Sequence, residues 1–117
     1  MGLPFIDGEV TGPSGVSRSV QFLVDSGASY SLLPTDVWNE LGLQPKRSVT
    51  FTLGDGTTIA RDVSECHISL QGQESHTPVI LGEEGDEPLL GAVTLEILGF
   101  VLDPLKRTLQ AMHMRLG

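Results

Sequence analysis

Phe22-Leu23-Val24-Asp25-Ser26-Gly27-Ala28 runs apolar residues straight into a carboxylate, a hydroxyl and a glycine. The apolar part reads as the end of a strand that begins near Val16, and its composition suits a strand buried on both faces. Asp25-Ser26-Gly27-Ala28-Ser29 is small and polar, and reads as a loop. A buried strand is a rigid mount, and Gly27 lets the loop turn tightly and lets another backbone approach. The Ser26 hydroxyl can stiffen it, so Asp25 is held well enough for acid–base chemistry. The triplet alone carries little weight: Asp, Ser and Gly are all turn formers. By composition, Asp-(Ser/Thr)-Gly arises by chance in roughly one chain in twenty of this length. The residues that surround the triplet therefore decide how it reads.

Upstream, Pro4 to Val10 reads as a strand, Thr11-Gly12-Pro13-Ser14-Gly15 is turn chemistry, and Val16 to Val24 returns as the second arm of a hairpin. Downstream, Tyr30 to Leu33 is extended. Pro34 to Leu41 then changes period: Val37, Trp38 and Leu41 share a helical face, Asp36 lies in the first turn and Gly42 is a stop. Arg47 to Leu53 alternates, with Val49, Phe51 and Leu53 on one side. Gly54-Asp55-Gly56 is a hairpin signal, and Thr57 to Leu70 is its long second arm. Gln71-Gly72-Gln73 turns the chain towards a strand through Val79-Ile80-Leu81. Pro88-Leu89-Leu90-Gly91 leads into a short helix over Ala92 to Leu98, ended by Gly99. Phe100–Asp103 and Thr108–Met112 form a last hairpin around Pro104-Leu105-Lys106-Arg107. Val24-Asp25-Ser26-Gly27-Ala28 and Leu89-Leu90-Gly91-Ala92 each precede a helix with a Gly stop. This echo is either chance or the mark of two similar half-units.

With 117 residues, the chain (1–117) is expected to form one domain. Its net charge of −8 argues against nucleic acid and anionic membrane surfaces as partners, because both call for a basic face. No apolar run approaches the ~20 residues that span a bilayer, and the first residues lack the pattern of a signal peptide. A cytoplasmic location is expected on those grounds. The single cysteine, Cys66, excludes an intramolecular disulfide and reads as a buried small residue on a strand. The acidic run Gly82 to Glu87 reads as a solvated loop, its spacing too irregular for calcium. His67, His76 and His113 lack metal-ligand spacing.

In this order, the elements resemble the retropepsin-like aspartic proteases, the single-domain family of retroviral proteases and their cellular and bacterial relatives. The resemblance spans about Val16 to Gln110. Phe22 to Ala28 matches the catalytic-loop motif, Pro88-Leu89-Leu90-Gly91-Ala92 the second motif, and Phe51 to Ile59 the flap. The resemblance implies an all-β, mostly antiparallel closed barrel with one or two short helices, acting as a homodimer. It implies peptide hydrolysis by water activated between two aspartates that share a proton, with no metal or cofactor. Asp25 is the catalytic candidate and Ser26 and Gly27 its loop support. Gly27, Ala28, Ser29, Gly54, Asp55, Gly56 and Leu89 are the candidates for binding an extended peptide, with Val79 and Leu81 expected to join Leu89 in side-chain pockets.

The chemistry needs two carboxylates, and Asp25 alone has this context, which is the reason to expect a homodimer with one Asp25 from each chain at its axis. Viral members carry an acidic residue after the Gly-Ala and an arginine after the second Gly; Ser29 and Ala92 stand at those places. Leu3 to Ile6 and Leu109 to Met114 are the candidate chain ends for an interleaved interface. The alternative is a non-catalytic dimerising or peptide-binding module with the same fold. The intact Asp25-Ser26-Gly27 favours catalysis, since such a module has no need of a like-charge pair. Excision from a longer precursor is compatible with either.

Overall fold

In the computed structural model, which describes residues 4–103, 105–112 and 116, β1 (Phe5–Thr11) and β2 (Ser17–Val24) form the first hairpin in antiparallel register, Phe5 opposite Leu23 and Thr11 opposite Ser17. β3 (Ser31–Leu33) and α1 (Thr35–Glu40) follow the loop that carries Asp25. β4 (Arg47–Thr52) and β5 (Thr58–Leu70) make the central hairpin, and β6 (Gln73–Leu81) returns along β5. After the acidic loop come β7 (Leu89–Leu90), α2 (Ala92–Leu98), β8 (Phe100–Asp103) and β9 (Thr108–Ala111).

Seven strands join in the order β1-β2-β7-β3-β6-β5-β4, and β1 also pairs with β5, so the ladder doubles back on its first strand. Most pairings are antiparallel, but β2 runs parallel to β7 and β3 parallel to β6. The two-residue β7 is thus wedged between β2 and β3, the strands that flank the Asp25 loop. The core gathers Val10, Phe22, Leu33, Leu41, Ile68 and Leu90, all fully buried. α1 adds Val37, while Trp38 is half-buried and donates its indole N–H to the Gly82 carbonyl at 2.9 Å.

β2 departs from the expectation of burial on both faces. Val20, Phe22 and Val24 are buried, but Gln21 is exposed and Leu23 only half-buried. The strand lies in a single sheet with the core on one side, so alternation governs it. The expected turn at Gly82 to Glu87 is solvated, with residues 83–87 exposed. Leu3, Pro104, His113 and Met114, on which parts of the expected chain-end and hairpin readings fell, lie outside the described residues. Among the described residues no helix is long and apolar enough to cross a membrane.

Candidate active site

Asp25 is the first residue beyond β2. Its backbone N–H donates to the Leu90 carbonyl at 2.9 Å, continuing the β2–β7 ladder by one bond. Its carboxylate Oδ1 accepts from the N–H of Gly27 at 3.0 Å, and its carbonyl accepts from Ala28 N–H at 3.1 Å. The side chain therefore folds over its own turn, and the residue remains exposed. Among the described residues Asp25 has no ion-pair partner, and Ser26, also exposed, makes no side-chain hydrogen bond.

The far side of the loop is fixed by α2. The first N–H groups of a helix have no partner within it. Here Ala92 N–H donates to the Ala28 carbonyl at 2.7 Å and Val93 N–H to the Ser29 carbonyl at 3.0 Å. Gly91 permits this approach: a Cβ there would lie 2.6 Å from the carbonyl carbon and oxygen of Tyr30 and 2.8 Å from the Ser29 oxygen. Behind the loop runs a chain of buried hydroxyls. Ser31 Oγ accepts from Gly91 N–H at 3.0 Å and lies 2.6 Å from Thr94 Oγ1, which lies 2.7 Å from Thr77 Oγ1. No buried side-chain polar atom among the described residues lacks a partner. Such a satisfied network rigidifies what it touches.

Gly54, Asp55 and Gly56 form the exposed tip of the β4–β5 hairpin. Leu53 N–H donates to the Thr57 carbonyl at 2.7 Å, and Gly56 takes φ of +88°, a conformation that favours glycine. Asp55 Oδ1 accepts from the Thr57 hydroxyl at 2.6 Å and from its N–H at 3.0 Å. Those bonds, the hydroxyl's first, hold the Asp55 carboxyl below its usual range.

Leu89, half-buried, lines a cavity of about 360 Å³ with Leu32, Phe51, Leu53, Ile59 and Ile80. Arg61, Asp86 and Glu87 also border it. The expectation for Val79 and Leu81 does not hold: they are 0% and 7% exposed, in the core, and Ile80 between them faces the cavity. Alternation along β6 decides this, and three consecutive apolar residues concealed it. Leu32 was missed for a like reason. Ser31, Thr77 and Thr94 were also missed, because their partners lie far apart in sequence and each reads locally as an ordinary strand or helix residue.

A second cavity of about 360 Å³, bordered by Lys46, Cys66, His67 and His76 among others, includes no residue of the Asp25 loop or the β4–β5 tip. Burial pushes the Cys66 thiol there up to about 12, which makes it a poor nucleophile. Among the described residues no group of three or more His, Cys, Asp or Glu side chains is placed to hold a metal ion.

Comparison with known proteins agrees with this arrangement. The model of a family described as gag-polyprotein putative aspartyl protease matches residues 14–96, from the β1–β2 turn into α2. No curated protein matches the chain in sequence. The chain is similar to the solution structure of the simian foamy virus (mac) protease, with a TM-score of 0.59 and 19% identity, over 80% of this chain and 93% of that one. At that identity the likeness shows a shared fold.

Proposed function

Since the chain belongs to the gag-polyprotein putative aspartyl protease family, we propose that it is an aspartic endopeptidase whose active unit is a homodimer, with one Asp25 from each copy at the axis. The observation that carries this reading is the placement of Asp25: an exposed carboxylate on a loop held by β7 on one side and by α2 on the other. The neighbouring strand end, Leu89–Leu90, brings no second carboxylate, so a partner copy supplies it. The doubled-back sheet is read as the closed barrel of this family.

Two aspartates a few ångströms apart do not both ionise cheaply, and the pair holds one proton. The ionised carboxylate takes a proton from water as its oxygen attacks the scissile carbonyl carbon. The protonated carboxyl gives its proton to the carbonyl oxygen, forming a neutral tetrahedral diol. In breakdown the carboxyl that took the water's proton gives it to the departing amine as the C–N bond breaks, and the other carboxylate takes a hydroxyl proton from the diol, which leaves the pair with one proton again. The Gly27 N–H on Asp25 Oδ1 fixes which oxygen faces the water, and the exposed Ser26 hydroxyl is free to bond across the axis. The peptide lies extended between the loop and the hairpin. Backbone groups of Gly27, Ala28 and Ser29 hold it from below, those of Gly54, Asp55 and Gly56 from above, and the cavity at Leu89 takes an apolar side chain.

The test is incubation with a mixed peptide library at about pH 4 and pH 7, beside Asp25→Asn, with sedimentation over a range of concentrations. Cleavage by the parent alone, rising with dimer fraction and stronger in acid, is expected. Equal activity in Asp25→Asn, or full activity in a persistent monomer, would overturn the proposal. Peptide binding without cleavage would mean a non-catalytic module.

A further inference from the structure

We propose that Tyr30 is a positioning residue, tethering the β4–β5 hairpin to the Asp25 loop and thereby setting how firmly a peptide between them is gripped. The second clause rests on the protease reading; the tether itself does not.

The hairpin needs a tether. β5 pairs with β6 only from Val63 onward. The part from Thr58 to Asp62 pairs with β4 alone, and β4 is the last strand of the sheet. Residues 48–62 therefore form a two-stranded ribbon beyond the sheet, and such a ribbon is marginal in water without further packing. Its inward contacts decide its position.

Tyr30 supplies them from a fixed base. Its backbone is pressed against Gly91, and the residues on either side are bonded: the Ser29 carbonyl to Val93 N–H and the Ser31 hydroxyl to Gly91 N–H. From there its side chain reaches β4. The hydroxyl accepts from Arg47 Nη2 at 2.7 Å, and the Arg47 guanidinium lies 5.7 Å from the ring centroid. The ring meets Phe51 edge-on, centroids 5.8 Å apart and planes at 77°, a favoured aromatic geometry. Arg47 and Phe51 are four apart on one strand and so share a face. Tyr30 thus spans the ribbon from its root to the middle of its first arm. Phe51 in turn lines the cavity that contains Leu89, so the tether also sets one wall of the proposed side-chain pocket. Among the described residues the ribbon has a further polar tie, Arg61 to Glu83 at 3.4 Å; it is solvent-exposed, as the Tyr30–Arg47 bond is, and the edge-on contact with Phe51 is what Tyr30 adds beyond it.

The experiment compares parent, Tyr30→Phe, Arg47→Met and the double variant by amide hydrogen exchange and by steady-state kinetics on one cleaved peptide. Tyr30→Phe keeps the ring and loses the acceptor. Hairpin amides over residues 51–59 are expected to exchange about five-fold faster, the scale of one hydrogen bond, while residues 64–70 keep the parent's protection. KM is expected to rise by about the same factor with kcat near the parent's, because the tether acts alike on ground and transition states. The double variant should match Arg47→Met, since that change removes the same bond together with the guanidinium's contact with the ring. Unchanged hairpin exchange in Tyr30→Phe, additive effects in the double variant, or a looser hairpin with unchanged KM would each overturn the proposal. A parent that cleaves nothing, with hairpin exchange still faster in Tyr30→Phe, would overturn the protease reading and leave the tether standing.

Discussion

The N–H of Asp25 donates to the carbonyl of Leu90 at 2.9 Å, which joins the first residue beyond β2 to the strand that leads into α2. Two motifs far apart in sequence meet at this bond. The loop that holds the carboxylate is therefore only as well placed as β7 and α2 are, and the contacts behind it become as important as the aspartate.

Gly91 is the tightest of those contacts. Its φ of −97° is open to any residue, so the constraint is space alone. The atoms that a Cβ would meet at 2.6 Å are backbone, which cannot swing aside. Gly91→Ala is expected to cost about 3 kcal/mol or more, at the upper end of overpacking, and to lower peptidase activity further in the fraction that remains folded. Urea unfolding followed by Trp38 fluorescence measures the first. A midpoint within error of the parent's would show that the loop and β7 can part without cost.

Thr94 sits in the middle of the hydroxyl chain, between Ser31 and Thr77. Thr94→Val keeps the shape and takes one partner each from the buried Ser31 and Thr77 hydroxyls, leaving them the Gly91 N–H and the Pro78 carbonyl, a cost of about 1–3 kcal/mol. Thr94→Ser keeps the hydroxyl and loses a methyl, a cost of about 1 kcal/mol. Valine is therefore expected to be the more harmful change in denaturant midpoint, although it is the more apolar residue at a fully buried site. The reverse order would mean that methyl packing matters more here than the hydroxyl chain.

Much of this fold is legible in local sequence. Gly15, Gly42, Gly56, Gly72 and Gly99 all take positive φ and end elements where the sequence suggests. Both helices among the described residues are short, and each is followed by a glycine stop, Gly42 or Gly99. The Asp25 loop is legible because strand, carboxylate and glycine are adjacent. Where neighbours along the chain give no contrast, the reading fails: Val79, Ile80 and Leu81 are all apolar, so nothing local says which one faces the cavity. The Ser31–Thr94–Thr77 chain and the Tyr30–Arg47 bond are formed by the tertiary fold, and no spacing announces them. The parallel β2–β7 and β3–β6 pairings belong to the same class, since topology, not periodicity, creates them.

Asp55 gives the hairpin tip its own acid dependence. A carboxyl held below its ordinary value stabilises the folded turn above that value and loses the contribution as pH falls through the lowered one. The tip should thus stay ordered in the mildly acidic range in which a dyad with one proton works, and loosen only in stronger acid. Exchange of the Thr57 amide against pH checks this. Protection lost already near neutrality would contradict it, and Asp55→Ala should lose it at every pH.

Cys66 carries a dependence of opposite sign. It is 2% exposed, and burial lifts its thiol from an ordinary 9.0 to about 12. Its folded value is raised, so its contribution is fully present below the unfolded value and is lost as pH rises from there towards the folded one. In that window the unfolded thiol ionises and the folded one does not, which weakens the fold by at most about 1.4 kcal/mol per pH unit. The measurement is the difference between the parent and Cys66→Ala in urea stability against pH. The parent is expected to lose stability more steeply above about pH 9, and its thiol should resist maleimide until the protein unfolds. Parallel slopes, or rapid modification of the native protein, would show that the thiol is reached by water despite its place on β5.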